Sequence, residues 1–470
     1  MTILEAAQTS QSTPSSAWRI RGGTPLEGTV DLYGAKNAIS KQLIASLLTT
    51  EPCFFSNVPR IAETTITLEM LSELGTQYEW LTEHTLRVET PHLRTAAVPD
   101  RFAGLNRVSV LFLAPLLHRA GEARVPVPGG DAIGVRPVDF HLDGLKKMGA
   151  EVSVDGIAMT GKGGAGKPHG WAVGPEGVRR TRADGPLKGS TIQLPYPSVG
   201  ATEQLILAGT LARGTTVIAN AAVEPEIIDT VCLLQQMGAQ IAVETDRRIV
   251  VEGVPRLRGA SHRVVPDRIE AASFACLAVA TGGRVAVRNA RQDHVLSFIN
   301  HLQRLGGGFS VDTVEGDVMT FFRRDALRAI HLETDVHPGF LTDWQQPFVA
   351  MMTQATGMSV VHETVHEERF GYIEAFQAMG AEIQPYTDCL GSKPCRYWNA
   401  DRVHSCVVRG PTQLSAAHLT VPDIRAGFAY LVAALVAEGT SELTGVHHLE
   451  RGYADLIPRL RSLGVQIEVS

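Results

Sequence analysis

The sequence has 470 residues, of which 44% are hydrophobic and 20% are charged, which excludes a disordered or low-complexity protein. The formal net charge of −6 argues against a nucleic-acid-binding protein, because such proteins usually carry a strongly basic surface. No apolar run reaches the roughly 18 residues that a membrane-spanning helix needs. We therefore expect a globular protein of several domains, with neither nucleic acid nor membrane as a partner.

The chain begins with a polar segment that has no basic region, no long apolar run and no cleavage signal, so we predict a disordered tail over residues 1–17. Six cysteines are too few for a disulfide scaffold in a chain of this length, which indicates reduced thiols and a cytoplasmic protein. Cys389 and Cys395 are closely spaced, but no second pair of ligands lies near them in the sequence. We therefore predict no metal site.

One phrase recurs six times along the chain. It consists of an apolar helical stretch, then Met or Leu, then Gly, then a short alternating strand. We call the glycines of this phrase the marker glycines; they lie 68 to 89 residues apart and are Gly75, Gly149, Gly238, Gly306, Gly380 and Gly464. We predict that each one ends its helix in the left-handed conformation, which glycine adopts without steric cost. The helix before the third marker shows the expected apolar stripe, formed by Ile227, Ile228, Val231, Leu234 and Met237.

A second helix, rich in Ala and Leu, and a strand precede most of the marker phrases. Each unit therefore reads strand–helix–strand–helix–strand pair, and six such units predict an α/β fold. Two stretches are longer than the repeat requires, namely residues 156–190 and 384–409. We predict that both are surface insertions.

Polar residues gather in equivalent loops of several units. Equivalent loops of a repeat lie at equivalent ends, so two facing domains of three units each would pool these loops in one cleft. The charged residues of these loops are Lys36, Arg107, Arg136, Arg369, Arg425 and Arg451, with Asp131, Asp343 and Asp423. Because the guanidinium group binds phosphate and carboxylate with two parallel hydrogen bonds, the cleft is predicted to bind a small polyanion. The glycine-rich segment around Asp131 is typical of a mobile lid.

Several motifs spread over residues 18–470 resemble those of the enolpyruvyl transferases. They are GAKNA at 34–38, PGGDAIGVRPVDFH at 128–141, SVGAT at 198–202, EPEIID at 224–229, PDRIE at 266–270, TDWQ at 342–345, ERF at 368–370, PDIR at 422–425 and RGY at 451–453. The resemblance implies an inside-out α/β barrel of two domains, with six repeated βαβαββ units, three per domain, and the active site in the interdomain cleft. It implies an N-terminal domain over 36–264 and a C-terminal domain over 18–35 plus 265–470.

The resemblance also implies residue roles. Asp343 would be the general base, Asp131 the lid acid and Asp423 an acid near the transferred group. The phosphate of phosphoenolpyruvate would be held by Lys36, Arg136 and Arg451. The rest of the cationic site, which holds the substrate's anionic groups, would be formed by Arg107, Arg369 and Arg425. Asn37 would lie at the acceptor hydroxyl. The uridine-binding loops would be formed by Arg136, Pro137, Val138, Asp139 and Phe140, together with Ser198, Val199 and Gly200. No metal and no cofactor are implied.

The implied reaction moves the enolpyruvyl group of phosphoenolpyruvate to a hydroxyl of a uridine nucleotide and releases phosphate. UDP-N-acetylglucosamine, the acceptor used in peptidoglycan precursor synthesis, is the first expectation. A paralogue that uses uridine monophosphate in nucleoside-antibiotic biosynthesis is the alternative, and a non-catalytic nucleotide sensor is a second one. Asp131 stands where most members of the family carry Cys. Because fosfomycin alkylates that cysteine, we expect this chain to resist it.

Overall fold

The computed structural model describes residues 17–129, 138–154, 158–162, 171–174, 177–180, 187–312, 317–398 and 400–470. The chain divides into two compact units. The N-terminal unit comprises Leu32–Arg268 and Val336–Gly339, and the C-terminal unit comprises Met1–Asp31, Ile269–Asp335 and Phe340–Ser470.

Helices and strands alternate along the described chain. The helices are α1 (Lys36–Ala45), α2 (Ala62–Glu73), α3 (Leu113–Ala120), α4 (Asp139–Lys147), α5 (Val199–Gly209), α6 (Pro225–Gln236), α7 (Arg268–Thr281), α8 (Leu296–Leu305), α9 (Thr342–Met352), α10 (Ile373–Ala378), α11 (Ile424–Val436), α12 (His447–Glu450) and α13 (Leu456–Ser462). Short 3-10 helices span Ser46–Leu48, Asp100–Phe102, Val108–Phe112 and Gln292–His294.

The strands are β1 (Trp18–Arg21), β2 (Glu27–Asp31), β3 (Cys53–Ser56), β4 (Gln77–Thr82), β5 (Thr85–Glu89), β6 (Glu122–Pro126), β7 (Glu151–Val154), β8 (Ala158–Lys162), β9 (Trp171–Gly174), β10 (Gly177–Arg180), β11 (Thr191–Gln193), β12 (Thr215–Ala219), β13 (Gln240–Val243), β14 (Ile249–Glu252), β15 (Ser261–Arg263), β16 (Arg284–Arg288), β17 (Gly307–Asp312), β18 (Val318–Arg323), β19 (His331–Glu333), β20 (Gly357–His362), β21 (Glu382–Tyr386), β22 (Ser405–Gly410), β23 (His418–Thr420), β24 (Thr440–Thr444) and β25 (Gln466–Val469).

The N-terminal unit contains three sheets of the predicted repeat, with strand orders β15-β3-β5-β4, β6-β8-β7 and β11-β12-β14-β13. In the last of these, the edge strand β11 pairs in parallel with β12, and the remaining neighbours are antiparallel. A separate hairpin, β9 and β10, lies in the insertion predicted over 156–190, most of which is outside the described residues.

The C-terminal unit repeats this pattern in sheets β17-β18-β16-β2, β19-β20-β22-β21 and β23-β24-β1-β25. The beginning of the chain supplies two of these strands. β1 pairs antiparallel with β24 and with β25, so that Trp18 lies opposite both Leu443 and Val469. β2 pairs in parallel with β16. Together with the N-terminal sheets, these confirm the prediction of six repeated α/β units, three in each half of the fold.

The first helix of each repeat lies in the core. Residues 201–209 of α5, 268–280 of α7 and 424–435 of α11 are buried without interruption. A helix that is buried on all sides requires surrounding layers, and the strands provide them with one face buried and one face exposed. In the C-terminal unit, Phe340 packs edge-on against Trp344 and Phe348, with ring centroids 5.5 and 5.2 Å apart. Among the described residues, no helix is long and apolar enough to cross a lipid bilayer.

The second helix of each repeat ends as the sequence predicts. All six marker glycines have φ between +88° and +119°. Helix α6 shows why the sequence produces this element. Pro225 begins it, and its buried stripe includes Ile227, Val231 and Leu234, whereas Ile228 is only half-buried. The chain then reverses at Gly238 into β13.

We predict that Gly238→Ala destabilises the protein although its new methyl group would meet no atom within 4 Å. At φ +101° an L-residue is strained, and a left-handed conformation costs about 1–2 kcal/mol for a residue with a Cβ. Gly371→Ala is the matched control, because that site is equally open and its φ is not positive. Thermal denaturation should show a lower melting temperature for Gly238→Ala only. Equal melting temperatures for both variants would contradict the strain argument.

Candidate active site

A carboxylate in the C-terminal unit lies between two buried arginines. Asp343 is in the first turn of α9, where Arg369 Nη2 donates to its Oδ1 and Arg425 Nε lies 3.3 Å from its Oδ2. The side chains of Arg369 and Arg425 are 1% and 5% exposed, and that of Asp343 is 20% exposed. The structure therefore brings together three of the residues that the sequence predicted, with one more positive than negative charge.

Asp423 is the N-cap residue of α11. Its Oδ1 accepts from the backbone N–H groups of Arg425 and Ala426 at 2.7 and 3.0 Å, as an N-cap residue does. Arg425 Nη1 in turn donates to the hydroxyl of Tyr453 at 3.4 Å. In this structure Asp423 therefore fixes the start of the helix that carries Arg425. Its predicted role as an acid near the transferred group stays a prediction.

Sequence reasoning missed a buried carboxylate, Glu363, that connects the loop carrying Arg369 to α9. Its Oε1 accepts from the backbone N–H groups of Val365 and His366 at 2.8 and 3.0 Å. Its Oε2 accepts from the hydroxyl of Thr342, the first residue of α9, at 2.9 Å. Burial raises the pKa of Glu363. The sequence offers one signal for Glu363, namely its position at the end of an apolar strand and directly before the charged loop.

Arg369 retains unused hydrogen-bonding capacity. Its Nε and Nη1 are buried and have no hydrogen-bond partner among the described residues. A buried donor without a partner is costly, and an anionic ligand relieves that cost with charge-assisted hydrogen bonds. The arrangement around Asp343 thus suits an anion that contacts Arg369 beside a carboxylate able to accept a proton.

Lys36 and Asn37 begin α1 in the N-terminal unit. The backbone N–H of Lys36 donates to Asp267 Oδ2 at 3.1 Å, and its Nζ lies 3.8 Å from Glu63 Oε2. The carbonyl oxygen of Asn37 accepts from Lys41 Nζ at 2.5 Å. Lys36, which the resemblance predicts to hold the phosphate, therefore lies at a helix start, with its side chain 16% exposed.

The two segments predicted to bind uridine lie side by side in the N-terminal unit. Val138 precedes α4, and Ser198 caps α5 by accepting from the backbone N–H of Ala201 at 3.4 Å. The two helices pack closely because both lack a side chain at the contact. A Cβ on Gly144 would come 2.5 Å from Leu205, and one on Gly200 would come 2.9 Å from the His141 ring. This packing brings the N-termini of α4 and α5 together. The first carries Val138, Asp139 and Phe140, and the second carries Ser198, Val199 and Gly200.

His141, which packs under Gly200, stays neutral. Burial lowers the pKa of its imidazole to about 3, and the positive charge of Arg107 adds to this effect. Arg107, predicted to bind substrate anions, is thus close to the helix pair that carries the predicted uridine loops.

A buried ion pair lies within the N-terminal unit, between Glu226 and Arg268. Arg268 at the start of α7 donates through Nε and Nη2 to the two oxygens of Glu226 on α6, at 2.9 and 3.0 Å. Burial opposes the ionised form of Glu226, but the guanidinium of Arg268 outweighs it and lowers the pKa of that carboxyl. This pairing was not foreseen, because 42 residues separate the partners in the sequence.

Four predicted residues need separate mention. Asp131, Arg136 and Pro137 lie outside the described residues. Arg451 follows α12 in the C-terminal unit, where it is half-buried and its backbone N–H donates to the carbonyl of His447 at 3.0 Å. The predicted roles of these four residues stay predictions.

We predict that Glu203 makes folding stability fall as the pH rises. Glu203 is buried in α5, with Oε1 4.0 Å from Lys41 Nζ, and burial raises its pKa to about 7 although Lys41 opposes the shift. The folded state therefore keeps a proton that the unfolded state loses above its ordinary pKa near 4.5. Between these two pH values the wild type should lose about 3 kcal/mol of stability, and above pH 7 the loss is complete.

Glu203→Gln removes this titration, so its stability relative to the wild type should be higher at pH 8 than at pH 5. Urea unfolding at the two pH values measures the difference. Glu252→Gln is the matched control, since Glu252 is exposed at the end of β14. If Glu203→Gln and the wild type change in parallel between the two pH values, the raised pKa is excluded.

Known proteins are similar to this chain over most of its length. The family model described as EPSP synthase (3-phosphoshikimate 1-carboxyvinyltransferase) matches residues 20–460. A UDP-N-acetylglucosamine 1-carboxyvinyltransferase of Protochlamydia amoebophila (strain UWE25) is 44% identical over 96% of this chain and 94% of its own length. The protein of the same name from Chlamydia pneumoniae is 46% identical over 94% of this chain and 93% of its own length.

Solved structures support the same fold. The enolpyruvyl transferase NikO from Streptomyces tendae superimposes with a TM-score of 0.79 at 23% identity, covering 97% of this chain and 99% of that one. EPSP synthase from Acinetobacter baumannii gives a TM-score of 0.67 at 16% identity, covering 97% of this chain and 100% of that one. These likenesses confirm the two-domain α/β fold that the sequence resemblance implied.

Proposed function

The chain belongs to the EPSP synthase family of enolpyruvyl transferases, and from this membership we propose that it transfers the enolpyruvyl group of phosphoenolpyruvate to a hydroxyl of UDP-N-acetylglucosamine. The observation that carries the proposal is the convergence of Arg369 and Arg425 on Asp343. This cluster combines a base with an anion-binding side chain. The choice of acceptor follows the names of relatives that are more than 40% identical over nearly their whole length.

The reaction needs one base and one acid. The acceptor hydroxyl adds to C2 of phosphoenolpyruvate and gives its proton to Asp343, while C3 receives a proton from Asp131. The tetrahedral intermediate then returns a proton from C3 to Asp131 while the bond between C2 and the phosphate oxygen breaks, and the departing phosphate takes up the proton that Asp343 had accepted. The products are the enolpyruvyl ether and inorganic phosphate. Two carboxyl groups with opposite starting protonation states thus complete the cycle.

The cationic residues have separate tasks in this proposal. Arg369 offers Nε and Nη1, for which the described part of the chain supplies no hydrogen-bond partner, to an anionic group of phosphoenolpyruvate. Lys36, Arg136 and Arg451 hold the phosphate, whose negative charge increases as the bond to carbon breaks. Such contacts lower the barrier most where they strengthen in the transition state.

The acceptor side of the site uses the helix pair α4 and α5. Asp139 lies in the first turn of α4, and Ser198 caps α5, so hydrogen-bonding groups of both segments are available to the uridine and diphosphate portions. Helix N-termini favour negative charge, which suits a diphosphate. We assign the enzyme to the cytoplasm, where its six free cysteines stay reduced.

We predict that the purified protein releases phosphate from phosphoenolpyruvate only when a suitable nucleotide is present. With UDP-N-acetylglucosamine, mass spectrometry should find a product heavier by one enolpyruvyl group. Lys36→Ala and Asp343→Asn should each lower turnover by at least about 30-fold, because losing one partner of a buried charge-assisted contact costs about 2–5 kcal/mol. Lys147→Ala is the control, since Lys147 is exposed at the end of α4.

Three outcomes distinguish the candidates. A product formed only from uridine monophosphate replaces the proposed acceptor with the alternative one. Nucleotide binding without phosphate release, measured by calorimetry and a phosphate assay, replaces the enzyme with a nucleotide sensor. Wild-type turnover in Asp343→Asn removes Asp343 from the chemistry.

We predict that fosfomycin does not inactivate the enzyme. A thiolate opens an epoxide readily, whereas a carboxylate such as that of Asp131 is a much weaker nucleophile toward it. Asp131→Cys should introduce time-dependent inactivation by fosfomycin and keep part of the turnover, because a thiol can also donate a proton. Irreversible inactivation of the unmodified enzyme, with the adduct located by mass spectrometry, would refute this role of Asp131.

A further inference from the structure

Four side chains of metal-ligand type converge at one end of the sheet that contains β20, β21 and β22. His362 is the last residue of β20, and Cys389, Cys395 and His404 lie in the segment 387–404 that joins β21 to β22. One nitrogen or sulfur atom from each of the four lies within 4.8 Å of the others. All four residues belong to the C-terminal unit, and none of them is assigned to the transfer reaction.

Both imidazoles are oriented by an acceptor on their Nδ1 side. His362 Nδ1 lies 3.2 Å from Glu333 Oε2, and His404 Nδ1 lies 2.8 Å from the carbonyl oxygen of Arg402. Each ring therefore donates through Nδ1 and has Nε2 left for another partner. This arrangement is the usual one for metal-binding histidines, whose second nitrogen is fixed by a carboxylate or a carbonyl.

Neither Nε2 atom has a nitrogen or oxygen hydrogen-bond partner among the described residues. His362 Nε2 is buried and has no hydrogen-bond partner among the described residues, and the His362 side chain is 0% exposed. His404 Nε2 lies 3.2 Å from Cys389 Sγ, closer than most hydrogen bonds to sulfur. A cation between these atoms would satisfy both nitrogens and both sulfurs at once.

The two cysteines are free and half-buried. The backbone N–H of Tyr397 donates to Cys395 Sγ at 3.4 Å, which stabilises negative charge on that sulfur. Reduced cysteines in a cytoplasmic enzyme more often bind metal than form a disulfide. A cation bound between them would supply the positive charge that the thiolate form of both sulfurs needs.

We propose that His362, Cys389, Cys395 and His404 form a structural zinc site. Two thiolates and two imidazoles are the set that tetrahedral Zn²⁺ accepts, and four protein ligands leave no position open for a substrate. Ideal Zn–S and Zn–N bonds place the ligand atoms about 3.3–3.8 Å apart, so a small contraction of the observed cluster suffices. Binding releases one proton from each thiol, and the two thiolate charges neutralise the ion.

Sequence analysis found no second ligand pair near Cys389 and Cys395, and the structure supplies one. His404 lies close by because residues 387–404 form a loop that returns to β22. His362 comes from the neighbouring strand β20, where it pairs with Ser405. Such pairing across strands is not visible in the spacing of the cysteines.

The site would hold the 387–404 loop against the loop that carries Arg369. Glu333, which orients His362, also accepts from the backbone N–H groups of Ser392 and Lys393 at 2.9 and 2.8 Å. The hydroxyl of Tyr397 donates to the carbonyl of Val365 at 2.5 Å. Metal binding would thus contribute the stability that a polar loop of this kind cannot gain from a hydrophobic core.

The first test is metal analysis of the full-length enzyme, purified without chelator and without a metal-affinity tag. Inductively coupled plasma mass spectrometry should find about one zinc per chain, as for a structural site. Cys389→Ser and His404→Ala should lose that zinc. Cys232→Ser is the matched control and should keep it, because Cys232 is an exposed thiol on α6.

The second test keeps the wild-type ligands, so it does not depend on whether the variants fold. The reduced enzyme, stripped of zinc, is titrated with Co²⁺ under argon. Saturation at one ion per chain, with visible bands of tetrahedral cobalt and near-ultraviolet thiolate charge transfer, is the expected result. Zn²⁺ should then abolish these bands.

Either of two results overturns the proposal. One is a reduced wild-type enzyme without zinc that also gives no cobalt bands. The other is a zinc content that is the same in Cys389→Ser and Cys232→Ser. Neither readout uses turnover, so the zinc site and the proposed transferase activity can fail separately.

Discussion

Each repeat depends on a reversal of the chain at a residue with positive φ. A helix that ends without this reversal could not return its strand to the sheet that covers it. The six marker glycines supply one reversal per unit, and a second set follows the middle strands of four units. That set consists of Asn57, Asn220 and Asn289, with φ between 55° and 63°, and Gly445 with φ 68°. Asparagine is the residue other than glycine that tolerates this conformation best. In four of the six repeats, the fold is therefore specified twice by local backbone chemistry.

Much of the architecture could be predicted because its signals are local. The marker glycines and their apolar stripes define six units, and the order of motifs defines the family. The site could be predicted only in part. Asp343 and Arg369 were each identifiable as charged loop residues, but not as partners, since 26 residues and a strand separate them. The burial of Glu363 and Glu203 could not be predicted, because the sequence alone does not show whether an acidic residue is buried. Asp423 could have been identified as an N-cap, since it precedes a long apolar helix.

In each of the two units, predicted site residues lie at the beginnings of helices. Lys36 opens α1, Asp139 opens α4, Ser198 caps α5, Asp343 lies in the first turn of α9 and Asp423 caps α11. Backbone N–H groups at these positions have no partner within their own helix, and the helix dipole is positive there. Within each unit, helix starts of this kind favour bound anions through the backbone alone, whatever the side chains are. The arginines and lysine add net charge to what the backbone already favours.

The position of β1 has a consequence for the order of folding. This strand, Trp18–Arg21, lies between β24 and β25, more than 400 residues further along the chain. During synthesis on the ribosome, the N-terminal unit is complete after Arg268 apart from four residues, Val336–Gly339, and most of it can fold at once. β1 and β2 must wait, and their unpaired edges stay open to wrong partners until β16, β24 and β25 emerge. Contacts of such long range slow the final step, since the ends of a very long loop must meet. The C-terminal unit is therefore the part of the molecule for which a chaperone has the most time to act.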